Sequence, residues 1–271
     1  MSFLSYLING VSLGSVYAII ALGYTMVYGI AKMLNFAHGD VIMIGAYVVF
    51  TAMTGLQLNP VLSILIAMIV CTVLGVVIER VAYKPLRNAA SNLAVLITAI
   101  GVSYLLQNVA LLIFGANPKS FSDVVQLPAL NLAGLTIPAS TVVTIIANIV
   151  IMIALSTFVK RSKPGQAMQA VSEDRGAAEL MGINVNATIA LTFAIGSALA
   201  AIAGALLCSS YSSLDPYTGA MPGIKAFVAA VFGGIGSIPG AMVGGILLGV
   251  IEYLSKAIFP HRLPMRWCLR Y

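Results

Sequence analysis

Seven apolar stretches, each near the length of a bilayer crossing, dominate this chain: Leu4–Ile30, Asn35–Thr54, Pro60–Ile78, Leu93–Phe114, Ile137–Val159, Ala187–Cys208 and a Gly-broken run from Gly223 to Lys256. A helix needs about 20 apolar residues to cross the hydrocarbon core. Lipid offers the backbone no hydrogen bonds, so runs like these are confined to helix. Charged side chains make up 8% of the 271 residues, against roughly 25% in a soluble domain, too few to cover a globular surface. The pattern therefore predicts an all-α polytopic membrane protein of about seven transmembrane helices plus one Gly/Pro-broken or re-entrant segment.

The loop charges orient the spans. Arg80, Lys84 and Arg87 share one loop, and Lys160, Arg161, Lys163 and Arg175 share another. Between them Gly115–Thr136 holds only Lys119, and Ser209–Pro222 holds no basic residue. The basic loops are expected on the cytoplasmic side, with the Lys32 turn beside them and the N-terminus outside. The net charge of +6 reflects this asymmetry and not an affinity for nucleic acid. Cys71, Cys208 and Cys268 show no metal spacing and read as packing residues or incidental thiols. The first apolar run lacks the basic flank of a signal peptide and continues past Tyr24, so no cleavage is expected.

The last stretch breaks in the middle. Ala226–Phe232 is too short to span, Gly233–Gly240 holds four Gly and Pro239, and Ala241–Tyr253 reads as helix again. Gly is permissive and Pro removes a donor, so Gly233–Gly240 is expected to be non-helical and held inside the bundle, where broken helices line substrate paths. Small residues also recur four apart at Gly10/Gly14, Gly196/Ala200/Gly204, Gly236/Gly240/Gly244 and Gly245/Gly249. Such faces let backbones approach closely, either within one bundle or against a second subunit.

Two polar segments carry functional signals. The first is Ser162–Val185, containing Glu173-Asp174-Arg175-Gly176-Ala177-Ala178-Glu179-Leu180-Met181-Gly182. Helix formers followed by Gly182 predict a short helix with a Gly C-cap. Met168, Val171 and Met181 would supply an apolar stripe for a docking partner. Spacing alone supports a docking helix and a solvated loop equally. The second is Met33–Asp40, with Asn35, His38 and Asp40 at a membrane entry. No Ser or Cys nucleophile pattern accompanies the His and Asp, so they read as caps of the second helix at the wet interface, with Asp40 favourable to the helix dipole. No phosphate-binding loop of the G-x-x-x-x-G-K-[ST] type occurs, so the chain is not expected to hydrolyse ATP or to need a cofactor.

These segments resemble the permeases of branched-chain amino acid ABC importers. Glu173–Gly182 is similar to the family's "EAA" coupling loop, with Ser172 and Gly176 as departures. Asn35-Phe-Ala-His-Gly-Asp40 followed by Ile44–Tyr47, the segments Asn9–Ala18 and Gly23–Gly29, the basic loop Ile78–Arg87 and the Gly-rich Gly223–Phe227 and Gly233–Ala241 are collinear with it. The whole is similar to the first of the importer's two permeases. The resemblance implies a transmembrane permease domain over 1–256 with a coupling loop at 160–186, in a bacterial inner membrane. Its implied partners are a second permease subunit, cytoplasmic ATP-binding subunits docking on Glu173, Asp174, Arg175, Ala177, Ala178, Glu179 and Gly182, and an extracytoplasmic amino-acid-binding protein. That protein would meet the loops bearing Tyr211, Asp215 and Tyr217. Thr25, Asn35, Asn108, Gly233, Gly234, Gly236 and Gly240 are candidates to line the path of a zwitterion.

The tail departs from the family. Residues 257–271 include Pro260, Pro264, Arg262, Arg266 and Arg270 where relatives carry another span and a short tail, so this segment is expected to be extended, disordered and atypical. Two further functions stay open on the residues: a urea or short-amide permease of the same family, and an ion-coupled secondary transporter using Glu79, Lys225 and Glu252. A structural scaffold without transport is a third.

Overall fold

The computed structural model describes residues 3–87, 92–121, 130–132 and 135–258. Ser122, the segment 259–271 and the side chains of residues 257 and 258 lie outside what is described, and with them the expected course of the tail. The helices are α1 (Phe3–Ala31), α2 (His38–Thr54), α3 (Pro60–Ile78), α4 (Asn92–Phe114), α5 (Ala139–Arg161), α6 (Lys163–Glu173), α7 (Arg175–Leu180), α8 (Val185–Tyr211), α9 (Ala220–Gly233) and α10 (Ile238–Ile258). A π-helical turn, Glu79–Tyr83, and a 3-10 turn, Lys84–Leu86, prolong α3. Four short strands lie in loops: β1 (Lys119–Ser120) pairs antiparallel with β4 (Ser213–Leu214), and β2 (Leu130–Leu132) with β3 (Leu135–Ile137). The β1–β4 pair joins the loop after α4 to the loop after α8.

Six helices are long and apolar enough to cross a membrane, and α2 and α9 are shorter. The chain is a multi-pass membrane protein. The seven expected regions map onto it with two corrections. Asn35–Ala37 is not helical, so the second region starts at His38. The Gly223–Lys256 run is two helices, with the break confined to Gly234–Ser237. Helix resumes at Ile238 because Pro239 falls in the first turn of α10, where a missing N–H costs nothing.

Lateral order follows from spacing four apart. On α3, Val61, Leu65, Ile69, Val73 and Val77 are exposed, while Ser63, Ala67, Cys71 and Gly75 are buried. One face meets lipid and the other meets α8. Helix α1 is the hub, its run Val16–Leu22 wholly enclosed. It packs on α10 with the backbones almost touching: a Cβ on Gly14 would sit 2.7 Å from Ile246 Cα, and one on Gly249 2.2 Å from the Gly14 nitrogen. Gly196 faces Val27 and Gly23 of α1, Gly204 faces Ile42 of α2, and Gly244 faces Ala229 of α9. All the Gly stripes thus serve packing within this chain.

The two short helices start partway along α1. A Cβ on Gly23 would lie 2.4 Å from His38 Nε2, so the start of α2 meets α1 eight residues before its end, roughly 12 Å along the helix at 1.5 Å per residue. A Cβ on Gly39 would lie 2.7 Å from the Gly219 carbonyl, so α9 starts at the same level. The irregular segment Met33–Ala37, which ends in a turn, and the loop after β4 carry the chain to this level.

Candidate coupling loop and translocation path

The polar loop is built by caps. Ser162 Oγ donates to the Phe158 carbonyl at 2.6 Å and accepts from Gly165 N at 3.0 Å, ending α5 and starting α6. The reversal is tight, since a Cβ on Gly165 would lie 2.3 Å from the Phe158 carbonyl oxygen. Met168 and Val171 are buried against the bundle, so they anchor α6 and are not part of an external stripe. The single helix expected over Glu173–Gly182 is two: α6 ends at Glu173, and the Asp174 carboxylate accepts from Gly176 N at 2.8 Å and Ala177 N at 3.1 Å, starting α7. An Asp that captures the amides two and three residues ahead is an N-cap. Gly176 thus occupies the second position of α7, not a helix interior.

Gly182 closes α7 with a left-handed φ of 83°, its N–H on the Glu179 carbonyl and that of Ile183 on Ala178. The outer face of the loop carries Glu173, Ala177, Glu179, Leu180 and Met181, the last two 91% and 82% exposed. Ala178 turns inward. The Arg175 guanidinium reaches back to the Ala31 carbonyl at the end of α1. Beside it Arg87 bridges Glu79 and Asn186. Burial, and after it the charge of Arg175, pulls the Arg87 guanidinium below its ordinary pKa.

The expected path residues fall in different places. Thr25 and Gly236 meet in a cleft of about 320 Å³ with Gly29, Pro239 and, from α6, Gln169 and Ser172. Thr25 Oγ1 is buried there without a hydrogen-bond partner. Asn35 is held elsewhere, its Oδ1 accepting from Tyr83 Oη at 3.0 Å. Asn108 points outward from α4 and donates to its own helix at the Tyr104 carbonyl, so it does not join the others. Gly233 and Gly240 face each other across the α9–α10 contact, where a Cβ on either would lie 2.0 Å from the other's carbonyl oxygen. Gly234 shapes the turn between them.

His38 and Asp40 are not at a wet interface; they are 1% and 2% exposed. The imidazole bonds the backbone of Ile20 and packs edge-on to Tyr24, with 4.6 Å between ring centroids. The Asp40 carboxylate accepts from Gln107 Nε2 at 2.8 Å and from the Ser103 hydroxyl. Asp40, Ser103 and Gln107 line a second cleft, about 240 Å³, between α4 and α9, with Tyr24, Phe36, Tyr104 and Ile224. Sequence reasoning missed this cluster. The signal was the spacing of Ser103 and Gln107, four apart and one helical face away from Asn108.

A family model described as "Branched-chain amino acid transport system / permease component" matches residues 6–267. The permease protein LivH of the high-affinity branched-chain amino acid transport system of Salmonella typhimurium is 46% identical, over 94% of this chain and 86% of the relative. LivH of Escherichia coli strain K12 is 45% identical over the same shares, and BraD of Pseudomonas aeruginosa 44% over 95% and 87%. No solved structure matches the chain. With this likeness running from end to end of the spans, the chain belongs to the family of permease components of branched-chain amino acid transport systems.

Proposed function

We propose that the chain is an inner-membrane permease subunit of an ABC importer that translocates branched-chain amino acids. The observation that carries this is identity of 44–46% over at least 94% of the chain to permeases named for that transport. Residues 1–256 form the permease body. The loop 160–186 faces the cytoplasm, where separate ATPase subunits dock on α6 and α7 and supply the hydrolysis this chain lacks. A second permease completes the path. A binding protein delivers the amino acid to the outer loops, which the β1–β4 pairing gathers into one surface.

The docking surface is the exposed apolar pair Leu180 and Met181 with Glu173, Ala177 and Glu179 around it. Ala178 supports α7 from within, so its replacement would test folding more than docking. The candidates for ion coupling are engaged: Glu79 with Arg87, and Lys225 with Glu252 at 2.9 Å. That pairing suits structural roles and disfavours a secondary transporter.

The test is uptake into vesicles bearing this chain with its second permease, ATPases and binding protein. ATP-driven leucine uptake is expected, and Leu180→Asp should abolish it and ATPase co-purification while leaving membrane insertion intact. Uptake of urea or a short amide in place of leucine, or uptake driven by an ion gradient without ATP, would overturn the reading. Full activity of Leu180→Asp would overturn the docking assignment alone.

A further inference from the structure

Among the described residues, three acidic side chains of the helix bundle differ in how their charge is met. Glu79 is matched by Arg87, and Glu252 by Lys225 at 2.9 Å and Lys256 at 3.1 Å. Asp40 is as deeply buried as Glu79, yet among the described residues no Lys or Arg pairs with it. Its hydrogen-bond partners are neutral, Gln107 and Ser103, and both come from α4. An ionisable side chain inside a membrane protein is a candidate functional site, and this one can take a countercharge from a ligand.

The surroundings say what that countercharge belongs to. The carboxylate lines a cleft of about 240 Å³ whose other walls are aliphatic and aromatic, among them Phe36, Ile100, Tyr104 and Ile224. Tyr104 and Ile224 are exposed at its mouth. A metal ion would ask for more oxygen ligands, and among the described residues no group of His, Cys, Asp and Glu fits one. A carboxylate with two hydrogen-bonding neighbours on one side and an apolar wall on the other suits a compact cation carrying a branched hydrocarbon tail. Ala220, in the first turn of α9, lines the same cleft, so the positive end of that helix dipole faces it and favours a negative group there.

We infer that Asp40, positioned by Gln107 and Ser103, receives the α-ammonium group of an aliphatic amino acid in the α4–α9 cleft during its passage. The inference rests on the transport reading above and assigns its substrate contact. It also places the cleft on the translocation path, because a charge left open to lipid finds no such partner.

Two measurements test it. In the reconstituted importer, Asp40→Asn should lower ATP-driven leucine uptake at least tenfold with assembly retained, and Asp40→Glu should recover part of it. Separately, Ser103→Cys, placed in a background with Cys71, Cys208 and Cys268 replaced, should react with a cationic thiol reagent. Millimolar leucine should slow that reaction, and 4-methylpentanoate, which keeps the tail and carboxylate but lacks the amine, should not. Asp40→Asn uptake equal to wild type overturns the inference, as does equal protection by both compounds or by neither. If Asp40→Asn fails to assemble, the labelling decides. Failure of the unaltered importer to move leucine strikes the transport reading instead.

Discussion

Between α1 and α2 the chain leaves helix at Lys32, φ 53°, and stays irregular to Ala37; between α9 and α10 it leaves at Gly234, φ 91°, and is helical again at Ile238. The two breaks lie side by side, since a Cβ on Gly29 would come within 3.0 Å of Gly236 Cα. They are built differently. The Gly234–Ser237 turn closes on itself, with Gly234 N on the Val231 carbonyl and Ser237 N on the Gly234 carbonyl, both at 3.1 Å. The Lys32–Ala37 segment makes one turn bond, His38 N on the Asn35 carbonyl at 3.1 Å, and is held from elsewhere besides: Tyr83 Oη reaches Leu34 and Asn35, and Arg175 reaches Ala31 next to it. A turn that supplies its own hydrogen bonds is a fixed corner. One held by α7 and by the turn after α3 has a geometry that depends on the coupling loop, and α2, with Asp40, follows from it.

The largest effect that would break this contrast is at the fixed corner. Gly240→Val would drive a side chain into the Gly233 carbonyl and should cost more than about 4 kcal/mol, enough to remove the folded protein. A monodisperse, thermally stable Gly240→Val protein would show that the corner yields. Next comes the held break. Tyr83→Phe leaves the Asn35 side chain buried without its donor and should cost about 1–3 kcal/mol. Its distinguishing mark is that uptake should fall further than the thermal midpoint suggests, because α2 loses its register. An unaltered uptake rate at a lowered midpoint would reduce Tyr83 to a packing residue.

The smallest effect is at Lys32. A non-Gly residue in the left-handed region is strained by about 1–2 kcal/mol, and Gly gives back part of that in unfolded-state freedom. Lys32→Gly should therefore raise stability by no more than about 1 kcal/mol. A loss of stability would mean that the Lys32 side chain contributes more than its backbone strain costs.

Much of this was legible in the chain. Span positions follow from apolar runs, and the lipid-facing and buried rows of α3 are visible as residues four apart. The polar loop after α5 and the break near Gly234 are marked by composition. What was not legible depends on pairs distant in sequence. Met168 and Val171 look like an external stripe until the bundle they anchor in is known. Asp40 looks like a helix cap at an interface until Gln107, 67 residues later, is set beside it. The choice between Gln107 and Asn108 turns on a single step of about 100° around α4, which apolar periodicity cannot fix when every face of the helix is apolar. The split at Asp174 is a local signal, hidden because Glu173-Asp174-Arg175 reads as well inside a helix as at its start.

The enclosure of α1 carries a consequence for how the protein is made. Helix α1 emerges from the ribosome well before its closest neighbours, α8, α9 and α10. Its Gly10 and Gly14 face has nothing to close on until Gly249 has been added, more than two hundred residues later. Throughout that interval α1 stands in the bilayer with its small-residue face open, and the native bundle is completed by a closing step of high sequence separation. Misassembly is therefore concentrated at the late α1–α10 closure: a chain delayed or cut short before α10 leaves its hub unclosed, however well the intervening helices have inserted.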